Sequence, residues 1–129
     1  MDKAVLDVLT EYEARAEREF AEMAKLTWEQ IGSRIDEFLI FVGPETGRLM
    51  HMLAVAAEAR VLVEVGASYG YSTVWLADAA RATGGTLHSL ELSAAKVRRS
   101  EGELGLLCDN PVLDAGPSTT LHDGVAAAA

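Results

Sequence analysis

The stretch Val61-Leu62-Val63-Glu64-Val65-Gly66-Ala67-Ser68-Tyr69-Gly70-Tyr71-Ser72-Thr73 decides how this chain is read. Five residues of strand character stop at Gly66, and a loop of mostly small residues, ending at Gly70, feeds a helix that starts near Tyr71. A strand, a glycine turn and a helix N-terminus in that order form a cradle for a nucleotide-type cofactor. Glycine lets the backbone come close to a ligand, and the first free N–H groups of the helix point at it. Glu64 is out of place in a Val/Leu strand, because a buried carboxylate is costly without a partner. At the carboxyl end of its strand it is positioned to hydrogen-bond a cationic amino group of a bound ligand.

The same residues resemble motif I of the class I S-adenosylmethionine-dependent methyltransferases, specifically the small-molecule O-methyltransferases of the catechol and caffeoyl-CoA type. Their pattern is an acid, one residue, glycine, three residues and glycine, followed by Tyr-Ser-Thr. Here it stands as Glu64-Val65-Gly66-Ala67-Ser68-Tyr69-Gly70-Tyr71-Ser72-Thr73. The likeness runs from about Gly43 to about Leu104, roughly half of the chain. It implies an α/β Rossmann-like methyltransferase fold with N-terminal helices. The elements after the glycine loop are too few for the family's full sheet, so an incomplete parallel sheet is expected, truncated after the cofactor-binding half.

On the N-terminal side, Asp2 to Leu26 reads as an amphipathic helix, with Val5, Leu9, Tyr12, Ala16, Phe20 and Met23 at helical spacing. Its polar face is net acidic, which suits packing on its own domain or on a second copy and not on a membrane surface. Thr27-Trp28-Glu29-Gln30 has the form of a capping box. The helix it starts would carry Ile31, Ile35, Phe38 and Leu39 on one apolar face and end at Gly43-Pro44. Pro44 opens a third helix, predicted to turn Leu49, Met50, Leu53 and Ala57 inward. A similar Pro-x-x-Gly segment precedes the first strand in the resembled family, which implies that Thr46-Gly47-Arg48 lines the pocket; a plain helix start explains the segment equally well. His51 has no His or Asp at ligand spacing and reads as a solvated or core-edge histidine.

The strand Val61 to Val65 is nearly all apolar, as expected for a parallel strand covered on both faces. The helix after the loop is predicted over Tyr71 to Ala82, with Thr83-Gly84-Gly85 as its stop. A second strand, Thr86 to Leu92, carries Glu91 at its end. In a right-handed βαβ unit that acid sits beside the first glycine loop and can accept hydrogen bonds from both hydroxyls of an adenosine ribose. The resemblance implies the same role, against the plain reading of an exposed strand-end acid. His88 is expected to pack under the helices. Ser93 would cap a helix from Ala94 to about Leu104, with Lys96, Arg98 and Arg99 on its outer face. Beyond Gly105 the pattern degrades, and Pro111 to Ala115 is the only stretch that suits a third strand.

Composition bounds the rest. The 129 residues carry a formal charge of −9, which argues against nucleic acid or an anionic membrane as partner. The first thirty residues are charged throughout, unlike a signal peptide, and no apolar run is long enough to span a bilayer. The single Cys108 has no internal disulfide partner and suits a reducing compartment, so a cytoplasmic protein is expected. Residues 1–42 read as an N-terminal helical cap and 43–129 as a partial Rossmann-like S-adenosylmethionine-binding domain.

The resemblance implies methyl transfer from S-adenosyl-L-methionine to a small-molecule hydroxyl, weakened or lost where the second half of the fold is missing. Glu64, Gly66, Ala67, Ser68, Gly70, Ser72 and Glu91 would hold the cofactor. No catalytic base is identifiable. Asp109, Asp114, His122 and Asp123 lie in turn-rich sequence without the arrangement of an Mg²⁺ site, so no metal is expected. A nicotinamide-binding fragment competes, but a dinucleotide fingerprint wants glycine where Ser68 stands. A non-catalytic binding module or remnant is the other alternative. An unpaired sheet edge and bare apolar faces would favour a homo-oligomer.

Overall fold

The computed structural model describes residue 1, residues 3–97 and the backbone of residues 111–115. Three parallel strands, β1 (Val61–Val65), β2 (Thr86–Glu91) and β3 (Pro111–Ala115), pair in the order β1-β2-β3. The register sets Leu62 beside Leu87, Val63 beside His88 and Glu64 beside Ser89, and Glu91 beside Ala115. The third strand thus falls where the sequence allowed one.

Between β1 and β2 the chain crosses over through α4 (Tyr71–Thr83). Strands added consecutively in one direction by right-handed crossovers receive their helices on one face. Leu62 and Leu87 accordingly pack with Ala77 and Ala80 of α4. The opposite face of β1 is bare: Val61, Val63 and Val65 are 45%, 44% and 64% exposed. Burial of β1 on both faces, expected from its composition, is therefore not observed, because its only helical cover among the described residues lies on the α4 side. His88 also belongs to the face opposite α4 by its register with Val63, so it does not pack under that helix.

The second core joins α1 (Lys3–Met23) to the start of α4. Val5, Leu9, Tyr12 and Ala16 close on Leu39, Tyr69, Tyr71, Val74 and Trp75. The predicted apolar face of α1 is the buried one except at Phe20, which is half exposed and leans on Phe41 with ring centroids 5.8 Å apart.

The capping box is real: Thr27 and Gln30 exchange backbone-to-side-chain hydrogen bonds of 2.8 and 3.3 Å. Its helix α2 (Trp28–Ser33), however, stops long before Gly43, and a 3-10 turn, Ile35–Glu37, follows. Gly32 and Ser33 are weak helix formers, and tertiary bonds capture what comes next. The Arg34 guanidinium reaches Glu22 and Glu37, Glu19 accepts the Leu39 N–H at 2.5 Å, and the Tyr69 hydroxyl donates to the Asp36 carbonyl. The predicted single face splits: Phe38 and Leu39 are buried, while Ile35 stays 43% exposed.

Helix α3 (Pro44–Ala56) begins where Pro44 predicts, but its buried side differs. Leu49 and Leu53 are 50% and 60% exposed, and Ala57 is exposed as well; Met50 is half-buried. The face toward α4 is set instead by Gly47, His51 and Ala54. A Cβ on Gly47 would lie 2.4 Å from the Trp75 indole nitrogen, so only glycine admits this approach. His51 Nε2 meets Asp78 Oδ2 at 2.8 Å, and Ala54 packs on the cluster around Leu62.

After β2, residues 94–97 are helical, with Ser93 Oγ accepting the Lys96 N–H at 3.5 Å. Lys96 is buried at 5% exposure and not on an outer face. Arg98, Arg99 and the rest of that predicted helix lie outside the described residues, as do Cys108, Asp109, His122, Asp123 and the side chain of Asp114.

Gly47→Ala tests the α3–α4 approach directly. Overpacking of this kind costs about 1–3 kcal/mol, so the urea midpoint of the variant should fall with an unchanged m-value. An unchanged midpoint would mean that α3 stands further from Trp75.

Candidate functional site

The loop between β1 and α4 takes a left-handed turn at three positions: Gly66 (φ 85°), Ser68 (φ 52°) and Gly70 (φ 99°). Both glycines are needed for that course, and Ser68 adopts it at the strain cost of a side chain outside its usual region. The N–H groups of Gly66 and Ala67 donate to the Leu90 carbonyl at 2.8 and 3.1 Å, which hangs the loop on the end of β2. Above Gly66 the space is open, with no atom within 4 Å of where a Cβ would stand. Ala67 and Ser68 are buried, and Gly70 is the N-cap residue of α4, whose first N–H groups have no capping side chain.

Glu64 is 8% exposed and accepts hydrogen bonds from three hydroxyls. Ser72 donates to its Oε1, while Thr73 and Ser89 donate to Oε2, each at 2.6 Å. The partner that a buried carboxylate demands is therefore found inside the protein, on the first turn of α4 and on β2. A carboxylate has about four lone-pair sites, which leaves room for one more donor.

Glu91 stands at the other side of the loop. Its Oε2 accepts the Ser68 N–H at 2.7 Å and its Oε1 accepts the Ser93 N–H at 2.9 Å. Both oxygens are thus fixed in direction and keep lone pairs free for a diol. The sequence expectation that Glu91 lies beside the first glycine loop is met by this bond. Lys96 approaches the same turn, its Nζ 3.4 Å from Ser68 Oγ and 5.3 Å from the centre of the Tyr69 ring.

Helix α1 holds the loop from behind, a role the sequence did not disclose. The Tyr12 hydroxyl donates to the Tyr69 carbonyl at 2.5 Å, and the Arg15 guanidinium lies 4.0 Å from the Tyr69 ring centre. The Tyr71 hydroxyl donates to Glu13 at 2.8 Å. Helical spacing placed Tyr12 on the buried face but gave no sign of which backbone it would reach.

A second charged cluster sits between α3 and α4, away from the loop. Asp78 is buried at 4% and receives His51 and Arg81, the latter at 2.5 Å, with the N-terminal ammonium 3.8 Å away. Burial pushes the Asp78 carboxyl up, but hydrogen bonds from Arg81 and His51 outweigh it and hold the group below its ordinary value. His51 is thus a paired core-edge residue. Its partner, Asp78, lies on another helix where no local spacing could show it. Among the described residues no cluster of His, Cys, Asp and Glu has the makings of a metal site, and no helix is long and apolar enough to cross a membrane.

No protein-family model matches the sequence, and no curated protein matches it. Solved structures do match. The O-methyltransferase of Bacillus cereus in complex with S-adenosylhomocysteine is 22% identical, with a TM-score of 0.63 over 98% of this chain and 49% of that one. TomG of Streptomyces achromogenes, an O-methyltransferase involved in tomaymycin synthesis and solved with S-adenosylmethionine, is 24% identical, with a TM-score of 0.62 over 94% of this chain and 46% of that one. The S-adenosylhomocysteine-bound methyltransferase PaMTH1 of Podospora anserina is 19% identical, with a TM-score of 0.64 over 94% and 45%. The chain therefore has the Rossmann-like fold of these methyltransferases, and it spans about half of their length.

The Tyr71 contact offers a test of how tightly α1 grips this site. Burial first, then the bond to Glu13 and the charges of Glu13 and Glu45, push the Tyr71 hydroxyl up from 10.0 to about 12. A folded-state value above the unfolded one stabilises the fold fully below the unfolded value and loses that contribution as pH rises. Urea stability should therefore fall between pH 10 and about 12. Tyr71→Phe should flatten that limb; an unaltered limb would detach the effect from Tyr71.

Proposed function

We propose that this chain binds S-adenosylmethionine and forms the cofactor-binding half of an O-methyltransferase acting on a small-molecule hydroxyl. The observation that carries the reading is the Glu91 carboxylate, aimed by the Ser68 and Ser93 amides at the mouth of a glycine loop with open space over Gly66. Two fixed acceptor oxygens suit the two hydroxyls of a ribose. Gly66 admits the cofactor close to the backbone, and the uncapped first turn of α4 offers N–H groups and a positive dipole end to a carboxylate. The remaining lone pair of Glu64 suits an ammonium, while its three hydroxyl partners hold it in place. Ala67, Ser68, Gly70 and Ser72 shape this pocket through the backbone they fix.

S-adenosylmethionine brings its own activated methyl group on a sulfonium, so the protein supplies binding and alignment. A hydroxyl acceptor also needs a base. Glu64 and Glu91 are assigned to the cofactor in this reading, so neither is offered as that base. The span of about half the neighbours' length also supports a second reading, a module that binds the cofactor without turning it over. Nicotinamide dinucleotides suit the loop less well, because the Ser68 side chain stands where a pyrophosphate needs glycine. The single Cys108 supports a cytoplasmic setting.

Calorimetric titration with S-adenosylhomocysteine, with NAD as control, tests the proposal; binding of NAD alone would overturn it. Each hydrogen bond to a charged acceptor contributes about 1.5–3 kcal/mol, so Glu91→Ala should weaken S-adenosylhomocysteine at least about tenfold. Undiminished affinity would remove Glu91 from the site. Gly66→Val should abolish binding with helix content near native, and normal binding in that variant would misplace the cradle.

A further inference from the structure

We propose that Lys96 is a positioning residue for the Glu91 carboxylate and acts on it through Ser68. Hydrogen bonds join Glu91, Ser93, Lys96 and Ser68 in a closed circuit. Glu91 Oε1 accepts the Ser93 N–H at 2.9 Å, and Ser93 Oγ accepts the Lys96 N–H at 3.5 Å. The Lys96 side chain then crosses to the glycine loop, where Nζ donates to Ser68 Oγ at 3.4 Å. The Ser68 N–H returns to Glu91 Oε2 at 2.7 Å. The diol preference that follows from this circuit rests on the cofactor reading above; the circuit itself does not.

Ser68 is the weak member. It holds φ 52° with a side chain, a conformation that glycine adopts freely and serine adopts only when held. A return to negative φ would swing its N–H away from Glu91, and one carboxylate oxygen would lose its direction. The Lys96 ammonium restrains Ser68 from the side-chain end. A lysine on a helix surface ordinarily lays its stem on apolar groups and keeps its head in water. Lys96 is 5% exposed, and its ammonium meets the Ser68 hydroxyl and lies over the Tyr69 ring, 5.3 Å from the centre. Tyr69 is itself fixed by Tyr12 at its carbonyl and by Arg15 over its ring, so the ammonium bears on a rigid support. An apolar side chain would fill this space without desolvating a charge, so packing alone does not account for lysine here.

In the free protein, Lys96→Met should speed hydrogen exchange of the Ser68 amide at least about tenfold, while amides of α1 and β1 keep their rates. In calorimetry, the wild-type chain should bind S-adenosylhomocysteine at least about tenfold more tightly than its 2′,3′-dideoxy analogue. Lys96→Met should cut that preference to about threefold or less by weakening the ribose form alone. General loosening would weaken both ligands and keep their ratio. Ser68→Ala, which removes the same bond from its other end, should reduce the preference equally. Ser68→Gly in the Lys96→Met background should restore it, since glycine holds the left-handed turn unaided. An unchanged Ser68 amide in Lys96→Met, or an unchanged preference in both Lys96→Met and Ser68→Ala, overturns the proposal and leaves the cofactor reading standing. A wild-type chain that binds neither ligand, with a Ser68 amide that responds to Lys96→Met, overturns the cofactor reading and supports Lys96 as the hold on Ser68.

Discussion

The arrangement depends on one buried carboxylate. Glu64 sits on β1 and collects hydroxyls from Ser72 and Thr73 at the start of α4 and from Ser89 on β2. An ionised carboxylate stripped of water and left unpaired costs several kcal/mol, whereas each charge-assisted hydrogen bond restores about 1.5–3 kcal/mol. Three such bonds make the burial tolerable, and they do so only if strand, helix start and neighbouring strand hold one geometry. The loop between Gly66 and Gly70 has no freedom left once both of its ends are pinned in this way. Its left-handed residues follow from the short distance it must turn through, and its N–H groups then hang on the Leu90 carbonyl and the Glu91 carboxylate.

Helix α1 is the second support. A loop carrying a strained Ser68 would relax if its outer side faced water. Tyr12, Arg15 and Glu13 prevent this by binding Tyr69 and Tyr71, the two aromatic residues that flank Gly70. The cation over Tyr69 is worth about 0.5–1 kcal/mol where partly exposed. The apolar contacts of Val5, Leu9 and Ala16 in the same cluster contribute more, at about 25 cal/mol per Å² buried. The helix is thus both core and brace for the loop.

What the sequence disclosed follows from how local each signal is. β1, α4 and β2 were legible because apolar runs are cut by glycine, and the Thr27 capping box because its partners stand three residues apart. Within the site, the loop and the adjacency of Glu91 to it were legible from the βαβ order. Tertiary contacts decided the rest. The break after Ser33 comes from Arg34, Glu19 and Tyr69 reaching across helices, and the rotation of α3 comes from Gly47 meeting Trp75. The inward turn of Lys96, the pairing of His51 with Asp78 and the Tyr12 brace each join residues far apart in the chain. Glu64 was correctly read as needing a partner, but a lone acid in a strand cannot reveal whether that partner is a ligand or a set of hydroxyls. Here Ser72 and Thr73, on the first turn of the following helix, take most of the role.

The bare side of β1 and the chemistry of the site belong to one constraint. A parallel strand of Val and Leu is stable when covered on both faces, and among the described residues β1 is covered on one. Its open edge runs up to Gly66, so whatever covers that edge also flanks the open space above the glycine loop. On the proposed reading, methyl transfer to a hydroxyl divides into holding the donor, the task assigned to the loop, Glu64 and Glu91, and holding and deprotonating the acceptor. On its exposed side β1 offers that second task only the valines Val61, Val63 and Val65. Cover for β1 and a hold on the acceptor would therefore meet at one place, beside Gly66.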